Sequence, residues 1–309
     1  MSELELPYYP ISRFYKERFH TKVHKISVAV AETCPNREGL KGMQTCNFCD
    51  QWGSAAYAKN LEKPLAQQIE EVREVVRVKR KAEKFLVYFQ AYTTTFARVS
   101  KLREQFELAL SYPDVVGIVV GTRPDCISQA FLDVCNEMSE RAFFSVELGV
   151  QSFNNDTLKW MRRGHTGEDS IKAIHKIAEK CPKVNLGVHM IFGNPGEKPE
   201  DAAEAARIIN GLPVHNVKLH HMHVLKNTAL AEEFARGEFM PMERDEYFAL
   251  TMAFLQNLRK DTAVHRLAAF SSRWDELIAP AWTSFKMEMY QGMLSFMRER
   301  GAYQGQNVS

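Results

Sequence analysis

The sequence predicts an α/β fold built on a parallel sheet, and three observations predict it. Short β-rich runs alternate with longer amphipathic stretches six times in succession. Several of those runs are almost unbroken Val, Ile and Leu, the pattern of strands covered on both faces. Polar or glycine-containing groups follow directly after the runs, where parallel α/β folds place their ligands. Periodicity alone leaves open whether the sheet stays flat or curls into part of a barrel.

The strands are read at residues 25–32, 85–90, 115–121, 143–149, 185–192 and 216–222. Helical spacing fills 65–81, 96–110, 128–140, 168–180 and 200–210 between them. The tail breaks the alternation: 244–259 and 280–300 read as helices, with 264–270 as an extra strand between them. Three parts follow from this: a basic and aromatic segment at 1–24, an α/β core at 25–235, and an extension at 236–309 packed on that core. An apolar fraction of 45% supplies a full core. A net charge of +2 neither demands nor forbids a polyanionic partner, so any basic patch has to be local. The start of the chain does not resemble a signal peptide, and no run reaches the ~18 apolar residues of a membrane span. A cytoplasmic protein without membrane attachment is the expectation.

Six cysteines are present, and three fall within residues 34–49. In a reducing compartment that grouping points to metal binding or catalysis rather than to disulfides. Cys46 and Cys49 are spaced to meet one metal centre, and the loop containing Gly39 and Gly42 can fold Cys34 back as a third ligand. Thiolates suit iron–sulfur clusters and zinc alike. A cubane with three protein ligands keeps one iron open, which an amine and a carboxylate together can chelate, as in S-adenosylmethionine. Phe48 then offers an apolar wall for the adenine. Structural zinc is the competing reading, with His20 or His24 as fourth ligand; buried, uncommitted thiols are another. Cys126, Cys135 and Cys181 read as core thiols.

With three cysteines ending in Cys-x-aromatic-Cys and repeated βα units behind them, the chain resembles the radical S-adenosylmethionine enzymes. The eleven residues between Cys34 and Cys46 are similar to the spacing in the Elongator catalytic subunit and in the YhcC-like bacterial branch. Further segments continue the likeness: Tyr88-Phe-Gln-Ala-Tyr-Thr-Thr-Thr95, Gly121-Thr-Arg-Pro-Asp-Cys126, Glu147-Leu-Gly-Val-Gln-Ser-Phe153, Arg163-Gly-His-Thr166 and Ile191-Phe-Gly-Asn-Pro-Gly-Glu197. The resemblance implies a partial (β/α)6 barrel of the TIM type with a mainly helical C-terminal extension. It also implies a [4Fe–4S] cluster on Cys34, Cys46 and Cys49, with S-adenosylmethionine as the exchangeable ligand. By the same resemblance Gln90 stands where many members hold the amino group of that ligand. Arg123, Glu147 and Gln151 match positions near its ribose and carboxylate, for which a guanidinium fork and hydroxyl-binding side chains are suited. A mutual Arg123–Glu147 salt bridge is the alternative for that pair. Gly193 to Glu197 lets backbone approach the adenine, or forms a plain turn.

The chemistry so implied is reductive cleavage of the sulfonium to a 5′-deoxyadenosyl radical and hydrogen abstraction, with flavodoxin or ferredoxin as electron donor. For substrate, the Elongator likeness implies a tRNA wobble uridine. A Gly-Val-Gln-Ser segment shared with oxygen-independent coproporphyrinogen dehydrogenases implies a small organic acid or tetrapyrrole instead. A zinc-stabilised RNA-binding module is the reading without catalysis. Candidate catalytic side chains are His165, in a segment resembling the Elongator subunit, and His221 and His223 closing the sixth strand. Strand alternation places those two on one face and His220 on the other. Arg162 and Arg163 beside His165 read as phosphate contacts or as a helix end capped by Gly164. The stretch 13–25 offers Phe14 or Tyr15 for stacking on a base, and Arg77 to Lys81 reads as a solvated helix face.

Overall fold

Six strands pair side by side in chain order, each parallel to the last: β1 (Val23–Val28), β2 (Lys84–Phe89), β3 (Val115–Thr122), β4 (Phe143–Gln151), β5 (Asn185–Phe192) and β6 (Asn216–His221). This arrangement comes from a computed structural model, which describes residues 6–40, 42, 44–53, 62–270 and 275–308. Among the short strands that follow, β7 (Val224–Leu225) pairs antiparallel with β9 (Leu277–Ala279). Between them in sequence, β8 (Ala263–Val264) joins the main sheet as a seventh strand, parallel to β6. The strand read at 264–270 is therefore only two residues long and starts one residue earlier.

The sheet is curled into a partial barrel. Lys25 on β1 forms an ion pair with Glu147 on β4. Three strand spacings of about 4.8 Å would separate those strands in a flat sheet, so the pair requires curvature. Beyond β8 the N-terminal stretch continues the curl, with Pro10 bridging Val264 and the Val264 amide donating to Tyr9 O at 2.8 Å.

Helices α1 (Ile11–Phe19), α2 (Leu65–Arg80), α3 (Val99–Leu110), α4 (Gln129–Arg141), α5 (Asn155–Trp160), α6 (Gly167–Lys180), α7 (Pro199–Asn210), α8 (Ala229–Ala235), α9 (Arg244–Asn257) and α10 (Lys286–Glu299) complete the described elements. Most pack on the outer face of the sheet, where Val87, Phe89, Ile118, Val120, Val146 and Leu148 point. Each such side chain contributes roughly 1.5–3 kcal/mol when fully buried. Side-chain caps set several starts: Ser128 for α4, Asn154 for α5, and a reciprocal Thr166–Asp169 capping box for α6. The C-terminal extension lies against the barrel, α9 running along α7 and Gln304 binding the carbonyls of Arg259 and Thr262 at 2.8 Å each.

Helix α1 corrects the reading of the first segment. Its apolar residues Ile11, Phe14, Tyr15 and Phe19 form a helical stripe, and that stripe enters the barrel. Tyr15 is buried and meets Phe143 edge-on, with ring centroids 6.3 Å apart. Leu86, Tyr88 and Val119 complete the contact. The aromatic rings expected to stack on a base instead plug the end where the strands begin. Arg77, by contrast, lies on the solvent face of α2 as expected, paired with Asp114.

Candidate active site at the strand ends

Cys34 lies just past β1, and Cys46 and Cys49 close the loop that follows. The intervening chain doubles back on itself: Glu38 N donates to Cys34 O, and Gly39 N to Asn36 O, each at 3.1 Å. Gly39 and Gly42 adopt φ of 69° and 63°, a region that side chains avoid. The loop is then tied down on two sides. Asn47 N donates to Met161 O at 3.3 Å, and Leu230 N, in α8, to Asn47 O at 2.9 Å. Across the loop, Tyr92 N donates to Gly53 O at 3.0 Å. A β-carbon on Gly53 would fall 2.1 Å from the Tyr92 ring, so only glycine fits there. These anchors lay the cysteines over the carboxyl ends of β1 and β2.

N–H groups converge on two of the sulfurs. Cys46 Sγ accepts from Asn36 Nδ2 and Arg163 Nη1, each at 3.4 Å, and Cys49 Sγ from Arg37 Nη2 at 3.6 Å. Such donors favour anionic sulfur, the form that ligates iron. Burial pushes the Cys49 thiol up to about 12, with Cys46 adding to the rise and Arg37 opposing it. Asn36 Oδ1 and both polar atoms of the buried Asn47 side chain have no partner among the described residues, a further sign that the loop is shaped around another group. Among the described residues no three His, Cys, Asp or Glu side chains close in as they do around one metal ion.

Arg163 reaches Cys46 through the way α5 ends. Arg162 N donates to Lys159 O at 3.0 Å and Arg163 N to Leu158 O at 2.9 Å, a Schellman turn with Arg162 itself left-handed at φ 58°. The cap expected at Gly164 thus falls two residues earlier. The turn sends Arg163 inward, where Nη2 also donates to Gly149 O at 2.9 Å. Its carbonyl in turn accepts from Arg123. Arg123 is buried and held by both oxygens of Asp125 at 2.9 and 3.0 Å, so the Arg123–Glu147 bridge does not form. His165 lies alongside with Nε2 3.4 Å from Val150 O and Nδ1 unpartnered. Burial, reinforced by Arg163 and Arg123, drives its pKa down to about 3, which keeps the ring neutral.

The remaining rim residues divide into two groups. Phe48 packs beside Met161, Ile191 and Met222, an apolar wall next to the cysteines. Gln90 follows β2, its amide bound to Val28 O at 3.2 Å, and Gln151 ends β4 at φ 70°. Gly193 and Glu197 do something more local. Glu197 Oε2 accepts from Gly193 N, Asn194 N and Asn194 Nδ2 at 2.7–3.0 Å, which makes this segment a carboxylate-braced turn.

The two faces of β6 divide the histidines at its end. Asn216, Lys218 and His220 point into the barrel, whereas His221 points outward. His221 is buried against Trp282 at 4.7 Å and His223 at 4.0 Å between ring centroids. The C-terminal extension thus covers the pair that was read as catalytic. Alternation was right, but strand polarity relative to the barrel cannot be read from alternation alone. His220 faces the interior, beside His189 at 5.5 Å.

Below the rim, Glu147 is the centre of an interior polar cluster that the sequence did not reveal. Its carboxylate pairs with Lys25, accepts from His189 Nε2 at 2.7 Å, and stands 3.6 Å from His265 and 3.7 Å from Lys218. Burial opposes its ionisation, but the two ammonium groups and the imidazole N–H groups around it hold it well below the usual carboxylate range. Lys218 also donates to Tyr88 Oη at 3.2 Å. These partners come from four other strands and the segment after β8, so no single motif announces them.

Comparison with known proteins agrees with this geometry. The model of the Radical SAM superfamily matches residues 29–209, and that of the Radical_SAM C-terminal domain matches 214–299. The chain is 31% identical over 304 residues to YtqA of Bacillus subtilis, covering 98% of this chain and 94% of that protein. YhcC of Escherichia coli is 30% identical over 285 residues, 92% of this chain and 90% of that one. A tRNA uridine(34) acetyltransferase of Methanocaldococcus infernus is 35% identical over 134 residues, 42% of this chain and 24% of that protein. In fold, Elp3 of the same archaeon aligns with a TM-score of 0.63 at 20% identity, over 91% of this chain and 64% of that one. Among the described residues no helix is long and apolar enough to cross a membrane. Cysteine loop, curled parallel sheet and full-length relatives converge: the chain belongs to the radical SAM superfamily, among its YhcC-like members, whose enzymes work with a [4Fe–4S] cluster and S-adenosylmethionine.

Proposed function

We propose that the rim binds the cluster and S-adenosylmethionine, and that the enzyme abstracts a hydrogen atom from a substrate held in the barrel lumen. The observation that carries this is the cysteine loop, laid over the strand ends with N–H donors aimed at Cys46 and Cys49. When bound, the reduced cluster and S-adenosylmethionine supply a 5′-deoxyadenosyl radical. The chain's own residues position and shield. Cys34, Cys46 and Cys49 hold the iron, and Asn36, Arg37 and Arg163 orient the sulfurs. Phe48 walls the adenine, Gln90 and Gln151 meet the polar end of the ligand, and Arg123 braces Arg163. His165 positions neighbours as a neutral ring. Glu147 organises the lumen, and Gly193 and Glu197 shape the adjoining turn. Radical enzymes of this kind need an external reductant, here flavodoxin or ferredoxin in a reducing cytoplasm.

Two substrate classes fit. A tRNA uridine is supported by the similarity to the tRNA uridine(34) acetyltransferase over 134 residues. A small organic acid is favoured by the geometry, because the lumen presents donors and cations, while the basic residues near Lys22 and Arg80 sit at the opposite end of the barrel. Anaerobic purification tests the reaction class: about four irons per chain and release of 5′-deoxyadenosine on reduction are expected, and a colourless one-zinc protein would end it. Nucleoside profiling of tRNA from a deletion strain tests the first substrate. Unchanged wobble uridines would remove it.

A further inference from the structure

We propose that the lumen beneath the cysteine rim is an anion-receiving well, and that the substrate is a small molecule presenting a carboxylate or phosphate to Lys218 and Arg266. This rests on the rim being the site of radical chemistry and names a substrate class for it.

The well is lined unevenly. Glu147 has no exposed side-chain surface, whereas the side chains over it keep some: 17% for Lys25, 14% for His189, 11% for Lys218 and 8% for His265. The solvent-reachable side chains of this cluster are therefore ammonium groups and imidazoles, with the carboxylate covered beneath them. The charges are also unequal. Lys25, Lys218 and Arg266 surround one carboxylate among the described residues, and Lys25 is the cation in closest contact with it. Arg266 has weak partners for a guanidinium: Nε donates to Leu219 O at 3.3 Å, and Nη2 lies 2.7 and 2.8 Å from the ring nitrogens of His220. Neither partner is an anion. A sheltered guanidinium of this kind is matched in geometry by a carboxylate or phosphate. Burial, with Arg266 and Lys25 nearby, takes Lys218 down to about 7 although Glu147 opposes the fall. An arriving anion would relieve that repulsion.

The polar cluster adjoins the rim through neighbouring strands. His220 is in register with Ile191, and Ile191 belongs to the apolar cluster that contains Phe48, between Cys46 and Cys49. An anionic group on Lys218 and Arg266 would hold the rest of a small molecule below the cysteines. A polynucleotide phosphate is a poor occupant, because these donors lie inside the barrel and Lys22 and Arg80 lie outside its far end.

The test uses anaerobically purified holoenzyme, with succinate, inorganic phosphate and neutral succinamide as probes at matched ionic strength in calorimetric titrations. Saturable binding of succinate or phosphate, and not of succinamide, is the expected result, and whichever anion binds identifies the ligand group. Arg266→Gln and Lys218→Met should each weaken that binding at least about tenfold, Arg266→Lys by less. Lys79→Ala with Arg80→Ala, at the far end, should leave it unchanged. Failure of both anions to bind the wild type, binding equal to succinamide, or binding indifferent to Arg266→Gln and Lys218→Met would each overturn the well. Displacement of bound succinate by tRNA would overturn the small-molecule assignment. Release of 5′-deoxyadenosine by the same wild-type preparation is scored separately, so an intact radical reaction without anion binding defeats only the well.

Discussion

The two ends of the barrel are built from similar residue types and do different work. At the end where strands begin, basic and aromatic residues of α1 are divided. Tyr15 and its neighbouring rings enter the barrel, while Arg13 and Lys16 remain outside. At the end where strands finish, Arg163, Arg123 and Phe48 turn toward a loop of cysteines. An aromatic–basic run is therefore not evidence for a nucleic-acid surface by itself. What separates the ends is chain direction: in a parallel sheet the βα loops gather at one side, and catalytic groups gather with them.

The largest effect should come from breaking the mouth. Cys46→Ser should lose nearly all cluster iron, because the remaining thiolates cannot close a three-ligand site. Cys135→Ser, in the fully buried core, should keep its iron and lose only some stability. Iron and sulfide analysis of both variants decides the matter. Equal iron in the two would remove Cys46 from the cluster.

Acid should separate the two ends next. Burial lowers the pKa of His165 to about 3, His189 to about 4 and His223 to about 3, and holds His220, His221 and His265 well below 6.5. These imidazoles stay neutral in the fold and take up protons on unfolding. Their contribution is present above about pH 6.5 and is lost as pH falls through the lowered values. By pH 5 His165, His189 and His223 would each forfeit roughly 2 kcal/mol, and the other three add to the loss in the same direction. Urea titrations of the iron-free Cys46→Ser protein at pH 7.5 and 5.5 avoid interference from cluster loss. A stability flat across that range would contradict the neutral assignment.

Much of the fold was legible because buried parallel strands leave a plain signal. The runs at 115–121, 143–149 and 185–192 become β3, β4 and β5 with small shifts at their ends. Short elements without a full apolar period, α5 and α8, were not seen. Of the site, the cysteine loop was legible from spacing, and Arg163 was read as a phosphate contact or a helix end rather than as a partner of sulfur. Asn36 and Arg37 lay inside the motif and went unremarked, since an N–H···S contact leaves no sequence period. The lumen was invisible for another reason. Lys25, Glu147, His189 and Lys218 sit singly on different strands, His265 just beyond β8, and they meet only when the sheet curls. His221 and His223 were misplaced because alternation identifies two faces without saying which one the extension covers.

At the floor, Tyr15→Ala should cost about 3–5 kcal/mol, the range for truncating a buried aromatic ring. For a chain of this size that corresponds to a drop of roughly 10 °C in Tm. Iron content and 5′-deoxyadenosine release at 20 °C should stay near wild type, since the plug lies at the far end from the cysteines. A Tyr15→Ala protein with unchanged Tm but weakened RNA binding would restore the surface role that α1 has lost here.

Arg163→Met sharpens the contrast from the other side, with a smaller effect on stability than on chemistry. The substitution keeps much of the side-chain volume and removes the N–H donor to Cys46 Sγ and the link to Gly149 O. Outer-shell changes of this kind reduce metal affinity or activity about 10–100-fold. A cation beside the sulfur also favours the more negative, reduced cluster, so its loss should lower the midpoint potential. Arg163→Lys restores charge without the fork and should recover the potential more fully than the turnover. Arg162→Ala, whose side chain reaches Gln44 and Glu233, should change neither by much. If redox titration placed Arg163→Met and Arg162→Ala at the wild-type potential, Arg163 would be a strut for the α5 turn, and its position at the sulfur would carry no electrostatic consequence.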